Sequence, residues 1–238
     1  GATSKELGYQ VQWVLGDVIS NRWLDLSVPG QYVELETMPQ PSDWKKNRLL
    51  PLGTQHTVPS CAWMVESKGK SGKFDRLRAA ELRLSDSQKA QLSSGEDVHL
   101  SDGSVLNATE FRGKVQPAMR VVISGDTAEM TEEMSSLSYV DVLVHEATFL
   151  DEAQEWADKF LHSTSTGAAR TAQACNAKHL VLTHFSARLK DANIPLSEAK
   201  KVLSGTQTAV TSAHDGDRIQ LTQSGVTHLV WGEEGWSG

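Results

Sequence analysis

The sequence lacks the features that mark a membrane protein or a disulfide-stabilised secreted domain. It contains no run of about 18 apolar residues, which excludes a membrane-spanning helix. No basic start is followed by an apolar stretch, so we expect no secretion signal. The two cysteines, Cys61 and Cys175, lie far apart and have no CxxC spacing. Two reduced and mostly buried thiols are expected, with a disulfide as the alternative, and this favours a reducing compartment.

The sequence also lacks an excess of positive charge, an internal repeat and any low-complexity tract. Its formal net charge of −7 argues against broad non-specific binding of nucleic acid. RNA recognition by a local basic patch stays open, because a few placed cations are enough to contact phosphates. The 238 residues suffice for one sizeable core with an appended arm. The first residue is Gly1 rather than Met, which predicts a processed, trimmed or partial sequence.

Residues 121–188 contain three apolar runs that each end in a cluster of polar residues. Short runs of β-branched and aliphatic residues are typical of buried strands. Asp126, Glu146 and His184 would therefore lie at the carboxyl ends of successive strands. Since α/β folds gather their chemistry at that edge of the sheet, we expect an α/β protein with these side chains in one site. The polar clusters are Ser124-Gly125-Asp126-Thr127, His145-Glu146-Ala147-Thr148 and His184-Phe185-Ser186-Ala187-Arg188.

His56, Asp126 and His184 are candidate metal ligands. Each follows an apolar run and precedes a small or turn-forming residue, so each side chain can face a cleft at the end of a strand. Imidazole and carboxylate together suit a divalent ion such as zinc, and the two oxygens of Asp126 could bridge two ions. A histidine after a strand is also commonly a structural residue with satisfied hydrogen bonds. Both interpretations stay open at this point.

Glu146 and His162 form a second candidate group. A glutamate beside a histidine holds the tautomer of the ring and raises its basicity, so the imidazole can pass a proton to a leaving oxygen. His162 also precedes Ser163 and Thr164, which are good N-cap residues for a helix predicted over residues 166–176. The alternative is that this segment only begins a helix.

Residues 67–95 are rich in basic side chains and form a candidate RNA-binding arm. Helices are predicted over residues 74–82 and 85–92, and the Asp102-Gly103 turn beyond them predicts a hairpin. A solvated pair of surface helices is the alternative to an arm that contacts a polyanion. The basic residues are Lys68, Lys70, Lys73, Arg76, Arg78 and Arg83.

Outside these regions the sequence predicts mainly strands. Alternating or continuous apolar residues bounded by turn-forming residues carry these predictions. The predicted elements are strands over residues 9–14, 32–35, 61–66 and 208–211, a helix over 197–203, and two closing edge strands over 218–221 and 227–231.

The order of these short motifs resembles the ribonuclease Z family, the tRNA 3′-processing endonucleases of the metallo-β-lactamase superfamily. Each motif alone is weak, whereas their order and context are highly specific. Besides the three polar clusters at the strand ends, the resemblance rests on His162-Ser163-Thr164 and the closing Asp215-Gly216. It covers roughly residues 50–220.

This resemblance implies an αββα fold of four layers with two zinc ions in a complete site. It implies that His56 and His184 are zinc ligands and that the carboxylate of Asp126 bridges the two ions. Glu146 and His162 resemble the pair that assists proton transfer to the leaving group. The implied reaction is hydrolysis of precursor tRNA just past the discriminator base, which removes the 3′ trailer.

The resemblance also implies partners and a location. The basic arm falls where the family inserts an exosite that clamps tRNA, and Ser186 and Arg188 are further candidate substrate contacts. The family suggests a homodimer. The lack of a long apolar run predicts no association with a membrane, and we expect a cytoplasmic location, with an organelle as the alternative. We expect residues 1–238 to form one domain of this type, into which the arm over residues 67–95 is inserted.

The sequence departs from the family pattern at its start. No histidine precedes His56, so the HxHxDH loop that supplies most ligands of the first zinc is absent, as is the Gly-rich opening strand. We expect a fragment truncated at its amino end, with a split enzyme completed by another chain or an inactive paralogue as alternatives. A fragment of this kind would expose a sheet edge and an apolar surface, and it would bind zinc weakly.

The sequence shows two smaller departures and leaves two other functions open. Leu189 stands where the family usually has tyrosine, which predicts a packing change. The arm lacks the Gly-Pro turn common in the family, which weakens the expectation of tight tRNA clamping. The other functions are a non-catalytic RNA-binding or scaffolding remnant, and another hydrolase such as a small-molecule phosphodiesterase or an arylsulfatase. The retained Asp126, Glu146, His162 and His184 argue against a non-catalytic remnant. The pairing of His162-Ser163-Thr164 with His184-Phe185-Ser186, and the arm before Asp126, favour ribonuclease Z over the other hydrolases.

Overall fold

The structure, a computed structural model, describes residues 11–191 and 193–238. The chain divides into two compact units. The first unit runs up to Glu66 and resumes at Arg120, and the second spans Ser67–Met119. The second unit thus contains the basic arm predicted over residues 67–95 and continues beyond it. Each unit has its own cluster of buried apolar side chains.

Strands dominate the first unit, and short helices are present in both. The strands are β1 (Val14–Asp17), β2 (Arg22–Asp25), β3 (Val33–Leu35), β4 (Asn47–Gly53), β5 (Cys61–Ser67), β6 (Val98–His99), β7 (Val105–Leu106), β8 (Arg120–Ile123), β9 (Val140–Glu146), β10 (Ala177–Thr183), β11 (Ala209–Ser212), β12 (Arg218–Thr222), β13 (Gly225–Gly232) and β14 (Gly235–Ser237). The helices are α1 (Arg76–Glu81), α2 (Asp86–Ser94), α3 (Thr131–Ser135), α4 (Gln154–Phe160), α5 (Ser165–Ala174) and α6 (Asn193–Val202), with 3₁₀ turns at Ala108–Phe111 and Asp151–Ala153. Among the described residues, none of these helices has the length and apolar character that crossing a membrane requires.

A six-stranded sheet organises the first unit, with the strand order β11-β10-β9-β8-β5-β4. Strands β8 to β11 run parallel to one another, and β5 pairs antiparallel with β8. Because β8, β9 and β10 are adjacent and parallel, their carboxyl ends lie side by side at one edge of the sheet. The α/β class and the strands predicted in this region are confirmed.

The middle strands are buried because they carry aliphatic side chains on both faces. Every residue of β9 except Val144 is buried, and Leu143, Leu180 and Leu182 are fully enclosed. They pack in one core with the alanines of α5. Burying a leucine side chain contributes about 1.5–3 kcal/mol, so this layer supplies a large share of the stability of the unit.

Helix α5 confirms the helix predicted over residues 166–176, with both ends shifted toward the amino terminus. It begins after Thr164, whose hydroxyl accepts a hydrogen bond from the backbone N–H of Gly167 at 3.0 Å. A side chain at Gly167 would meet the Ser163 hydroxyl at 2.8 Å, so any larger residue would require Ser163 to shift. Helix α6 also begins earlier than the sequence predicts. It tolerates Pro195 because the N–H groups of a first helical turn have no intrahelical partner.

Two small antiparallel sheets flank the main one, with the strand orders β1-β2-β3 and β12-β13-β14. The strands predicted over residues 218–221 and 227–231 exist, but the expectation that both are edge strands is wrong. Strand β13 is the middle strand of its own sheet, because it pairs with β12 on one side and with β14 on the other. The alternation of residues along a strand shows which face is buried and does not identify the pairing partner.

The first flanking sheet differs from its prediction and exposes apolar side chains. Of the strand predicted over residues 9–14, the first two residues lie outside the described part of the chain, and β1 begins only at Val14. Strand β2 was not predicted. Trp13, Ile19 and Tyr32 are 67%, 89% and 75% exposed. Exposed apolar side chains are thus present on this sheet and beside it, and the apolar face expected of a truncated fold stays a prediction.

The second unit confirms the predicted helices and hairpin. Asp75 caps α1, and Ser85 and Gln88 form a capping box at the start of α2. Gly95 ends α2 in the left-handed conformation that favours glycine, at φ 100. Strands β6 and β7 form the hairpin around the Asp102-Gly103 turn. The unit encloses Phe111 completely.

Candidate functional site

The carboxyl ends of β8, β9 and β10 deliver three candidate residues to one place. Asp126 follows β8, Glu146 is the last residue of β9, and His184 directly follows β10. His56 arrives from the loop after β4, and His162 lies between α4 and α5. The ring centroids of His56 and His162 are 4.7 Å apart, and those of His162 and His184 are 5.6 Å apart. The structure therefore brings together all five residues singled out as metal ligands or catalytic groups.

A sharp turn after β8 positions Asp126. Gly125 has φ +62, a conformation that residues with a side chain rarely adopt. The backbone carbonyl of Asp126 accepts a hydrogen bond from the hydroxyl of Ser60 at 2.9 Å. This bond ties the turn to the loop that carries His56.

The Glu146 carboxylate accepts hydrogen bonds from several groups around the candidate site. Its side chain is only 1% exposed. Oε1 accepts hydrogen bonds from the Thr127 backbone N–H at 2.7 Å and from His162 Nδ1 at 2.6 Å. Oε2 accepts from the Thr148 hydroxyl at 2.6 Å and from the Ser163 backbone N–H at 3.1 Å. These donors fix the carboxylate and compensate for its removal from water.

In two of the three histidines of the candidate site, Nδ1 lies against a group that can only accept a hydrogen bond. His56 Nδ1 lies 3.0 Å from the backbone carbonyl of Leu161, which can only accept, so His56 donates from Nδ1. His162 donates from Nδ1 to the Glu146 carboxylate in the same way. In the neutral rings this leaves Nε2 unprotonated and able to bind a metal ion or exchange a proton.

Thr148 extends the same pattern to His184. Its hydroxyl donates to Glu146 at 2.6 Å, and its oxygen lies 2.9 Å from His184 Nδ1, so it accepts the proton on that nitrogen. His184 Nε2 is then directed toward Asp126, with 3.5 Å between Nε2 and Oδ1. Sequence reasoning did not single out Thr148. The signal was its place two residues beyond Glu146, because alternate residues of an extended chain lie on the same side.

The donor atoms fit a metal centre. One potential ligand atom each from His56, Asp126 and His162 lie within 4.8 Å of one another, and the same holds for Glu146, His162 and His184. Imidazole nitrogen and carboxylate oxygen are the ligands that zinc accepts besides thiolate. The Nδ1 anchors of the three histidines are the outer contacts that typically orient such ligands.

A half-open cleft of about 890 Å³ gives access to His56. It is lined on the side of the first flanking sheet by Leu15, Ile19 and Arg22, and along the His56 loop by Val58 and Pro59. His56 is therefore reachable by a ligand of substantial size.

His145 precedes Glu146 in the chain but does not face the cleft. It is completely buried, and its Nδ1 lies 2.8 Å from the backbone carbonyl of Glu146. Among the described residues its Nε2 has no hydrogen-bond partner. Burial lowers the pKa of this ring, with the nearby carboxylates acting in the opposite direction. The geometry thus gives His145 a structural place in the core.

The candidate substrate contacts are distributed over both units. Ser186 and Arg188 lie in the turn after β10, and the Ser186 hydroxyl accepts a hydrogen bond from the Arg188 backbone N–H at 3.3 Å. Arg78 already pairs with Glu110 at 2.8 Å and stacks on Phe111. All six predicted basic residues of the arm are exposed in the second unit: Lys68, Lys70, Lys73, Arg76, Arg78 and Arg83.

Comparisons with known proteins found a matching family model and several similar ribonucleases Z. A family model described as a β-lactamase superfamily domain matches residues 89–185. The ribonuclease Z of Haloferax volcanii is 35% identical over 170 residues, which are 71% of this chain and 53% of that protein. The ribonuclease Z of Prochlorococcus marinus is 32% identical over 205 residues, which are 82% of this chain and 66% of that protein.

A solved structure is also similar. The metallo-β-lactamase fold protein from Bacillus subtilis superposes with a TM-score of 0.46 and 19% identity, covering 79% of this chain and 52% of that one. The chain spans about half the length of the curated relatives it matches.

Proposed function

The chain belongs to the ribonuclease Z family of the metallo-β-lactamase superfamily, and from this premise we propose that it forms part of an endoribonuclease that removes the 3′ trailer from precursor tRNA. The observation that carries the proposal is the histidine cluster, in which every Nδ1 is anchored and every Nε2 is left for a ligand or a proton. Its position at the carboxyl ends of parallel strands supports the same conclusion.

We propose that His56, Asp126 and His184 hold divalent ions and that zinc is the metal. The imidazole and carboxylate ligands suit zinc, and the 3.5 Å between His184 Nε2 and Asp126 Oδ1 would let both side chains hold an ion. When bound, zinc would polarise a phosphoryl oxygen and lower the pKa of a water molecule. The Ser60 and Thr148 hydroxyls would keep the ligands in place.

His162 would donate the proton that the leaving oxygen needs. Its Nδ1 is occupied by Glu146 at 2.6 Å, so a proton can be carried or released only at Nε2. Glu146 is buried and receives several donors, so it orients the ring and does not react itself.

The second unit would bind phosphates of the tRNA. Residues 67–119 carry nine Lys and Arg against seven Asp and Glu, a formal charge of +2 within a chain whose total is −7. A local excess of cations is the electrostatic feature that phosphate binding requires. Of the six basic residues predicted for the arm, five have no salt bridge to the described part of the chain: Lys68, Lys70, Lys73, Arg76 and Arg83.

Zinc content and cleavage of precursor tRNA test the proposal. They are measured for the chain alone and after addition of a polypeptide that carries the HxHxDH loop of the family. Cleavage in either arrangement supports it, and His162→Ala should slow cleavage while zinc content stays largely intact. Loss of zinc in His162→Ala would reassign this residue as a ligand.

The same experiment separates the other functions. Absence of cleavage in both arrangements, with tRNA still bound, would support a non-catalytic RNA-binding protein. Hydrolysis of a small phosphodiester without cleavage of tRNA would support a different hydrolase of the superfamily. A homodimer and a cytoplasmic location are further proposals, which sedimentation and cell fractionation would test.

A further inference from the structure

Helix α4 presents an aromatic and cationic face to solvent. Trp156 and Phe160 are 53% and 42% exposed, although they are among the largest apolar side chains. Their ring centroids are 5.8 Å apart and the planes are only 11° from parallel. The ammonium group of Lys159 lies 5.2 Å from the Trp156 ring and 5.5 Å from the Phe160 ring. We call these three residues the aromatic platform.

The aromatic platform lies on the helix that leads along the chain directly into the candidate site. Helix α4 ends at Phe160, and the backbone carbonyl of the next residue, Leu161, holds His56. His162 follows and is held by Glu146. A strand of RNA that brings a phosphate to these histidines would therefore place a neighbouring nucleotide within reach of the aromatic platform.

Helix stability alone does not account for this face. Aromatic side chains four residues apart stabilise a helix only slightly, and a solvent-exposed cation on a ring adds little. The nearest acidic residues lie away from the two rings. Glu155 is about 100° around the helix from Trp156, although it is only about 40° from Lys159 and so borders the lysine. Asp158 is about 160° from Trp156, and its carboxylate accepts a hydrogen bond from Gln154 at 2.7 Å.

We propose that the aromatic platform stacks an unpaired base of the RNA strand that enters the site, with Lys159 near its phosphate. The proposal rests on the proposed function, because it takes RNA as the ligand. Flat rings next to a lysine are the combination that single-stranded nucleic acid binds. Every base has a π-face, so the contact would be tolerant of sequence. Its ligand class is single-stranded RNA, and bases inside a duplex are already stacked and could not use it.

Binding of a fluorescent single-stranded oligoribonucleotide to the full chain tests the proposal. Trp156→Ala should weaken binding at least about 5-fold, since each stacked base contributes on the order of that factor or more. Trp156→Phe keeps a ring and should retain most of the affinity. Trp231→Ala is the matched control, because Trp231 is 52% exposed but lies on the last flanking sheet. It should bind as the unaltered protein does.

Changes to the probe and the salt concentration identify the contact. On an oligonucleotide of the same length that lacks all bases, Trp156→Ala and the unaltered protein should bind equally. Lys159→Ala should reduce the salt dependence of binding, whereas Trp156→Ala should leave it unchanged. Equal binding by Trp156→Ala and Trp231→Ala would overturn the proposal. So would a loss that persists on the base-free probe, or a change in self-association without a change in RNA affinity.

Failure of this inference can be told apart from failure of the proposed function. If no precursor tRNA is cleaved but base-dependent binding requires Trp156, the aromatic platform stands and the endoribonuclease proposal falls. If cleavage occurs and Trp156→Ala binds and cleaves like the unaltered protein, the endoribonuclease proposal stands and the aromatic platform falls. Circular dichroism of each variant checks that the fold is retained.

Discussion

At the scale of single residues, Thr148 links the two groups of candidate residues. Its one hydroxyl hydrogen is donated to Glu146 at 2.6 Å, and its oxygen lies 2.9 Å from His184 Nδ1. The carboxylate that orients His162 and the imidazole that faces Asp126 are therefore connected through one atom. A side chain of the same shape without the hydroxyl would disconnect them.

We expect Thr148→Val to weaken zinc binding about 10-fold to 100-fold, the usual effect of removing an outer group that orients a metal-ligating histidine. Thr148→Ser keeps the hydroxyl and should restore most of the affinity. Competition with a chelating dye measures the difference. Equal zinc affinity in the valine variant and the unaltered protein would show that His184 needs no such anchor.

The sequence predicted the titratable residues of the candidate site but not the uncharged groups that hold them. Glu146 and His162 stand out because carboxylate and imidazole are the usual acid–base groups and follow apolar runs. Thr148 and the carbonyl of Leu161 carry no such mark, since a threonine after a strand and a leucine after a helix are common. Their roles depend on how three separate segments meet.

At the scale of elements, one buried carboxylate connects parts of the C-terminal sheet β12-β13-β14 through hydrogen bonds. The Asp217 side chain is only 4% exposed. It accepts hydrogen bonds from the backbone N–H groups of His214 and Trp231 and from the ring of His228. Burial alone would raise its pKa, but these backbone and ring donors outweigh burial and lower the pKa to about 2.

The stability that Asp217 contributes should disappear in acid. Its folded pKa of about 2 lies below the ordinary value of 3.8, so the contribution is complete above 3.8 and is lost as the pH falls through about 2. Asp217→Asn should have a lower free energy of unfolding than the unaltered protein at neutral pH. The difference between the two free energies should decrease as the pH falls from 3.8 to about 2. Urea unfolding at several pH values measures it. Asp43→Asn changes an exposed aspartate and serves as the control, which should follow the unaltered protein.

Elements were predictable where the chain fixes them locally. Strands β8, β9 and β10 are continuous aliphatic runs, and Thr164 marks the start of α5 by its hydroxyl. Strand β2 escaped prediction because Asp17 and Ser20 before it form a polar turn that interrupts the apolar pattern. The central place of β13 was not predictable, because a pairing partner is chosen by tertiary contacts.

At the scale of the whole molecule, the distribution of charge is uneven. Residues 67–119 carry a formal charge of +2. Because the formal charge of the whole chain is −7, the remaining residues together carry −9. A polyanion would therefore be attracted to the second unit and repelled by much of the first. The sequence indicated the basic segment. It did not indicate that the unit extends to Met119, because Val98 and Phe111 complete the core around Leu92 only in the folded state.

Reversing charge in the second unit should weaken tRNA binding and reduce its salt dependence. We expect Lys70→Glu with Lys73→Glu to lower affinity and to reduce the slope of log affinity against log salt by about one for each phosphate that the variant no longer binds. The matched control is Lys200→Glu with Lys201→Glu on α6, which makes the same change of charge in the first unit. An equal effect of both pairs would mean that net charge acts without a defined binding surface.

Two residues of the candidate site have a left-handed backbone conformation, which lowers stability but positions the histidines. Leu161 and His184 have φ 54 and 55, a conformation that costs a residue with a side chain about 1–2 kcal/mol. His184 cannot give up its ring, but Leu161 serves His56 only through its carbonyl. Glycine at position 161 would remove this strain, but it would also remove a half-buried leucine side chain and free the backbone that fixes the direction of His56. The leucine thus exchanges backbone strain for packing and for a firmly directed imidazole.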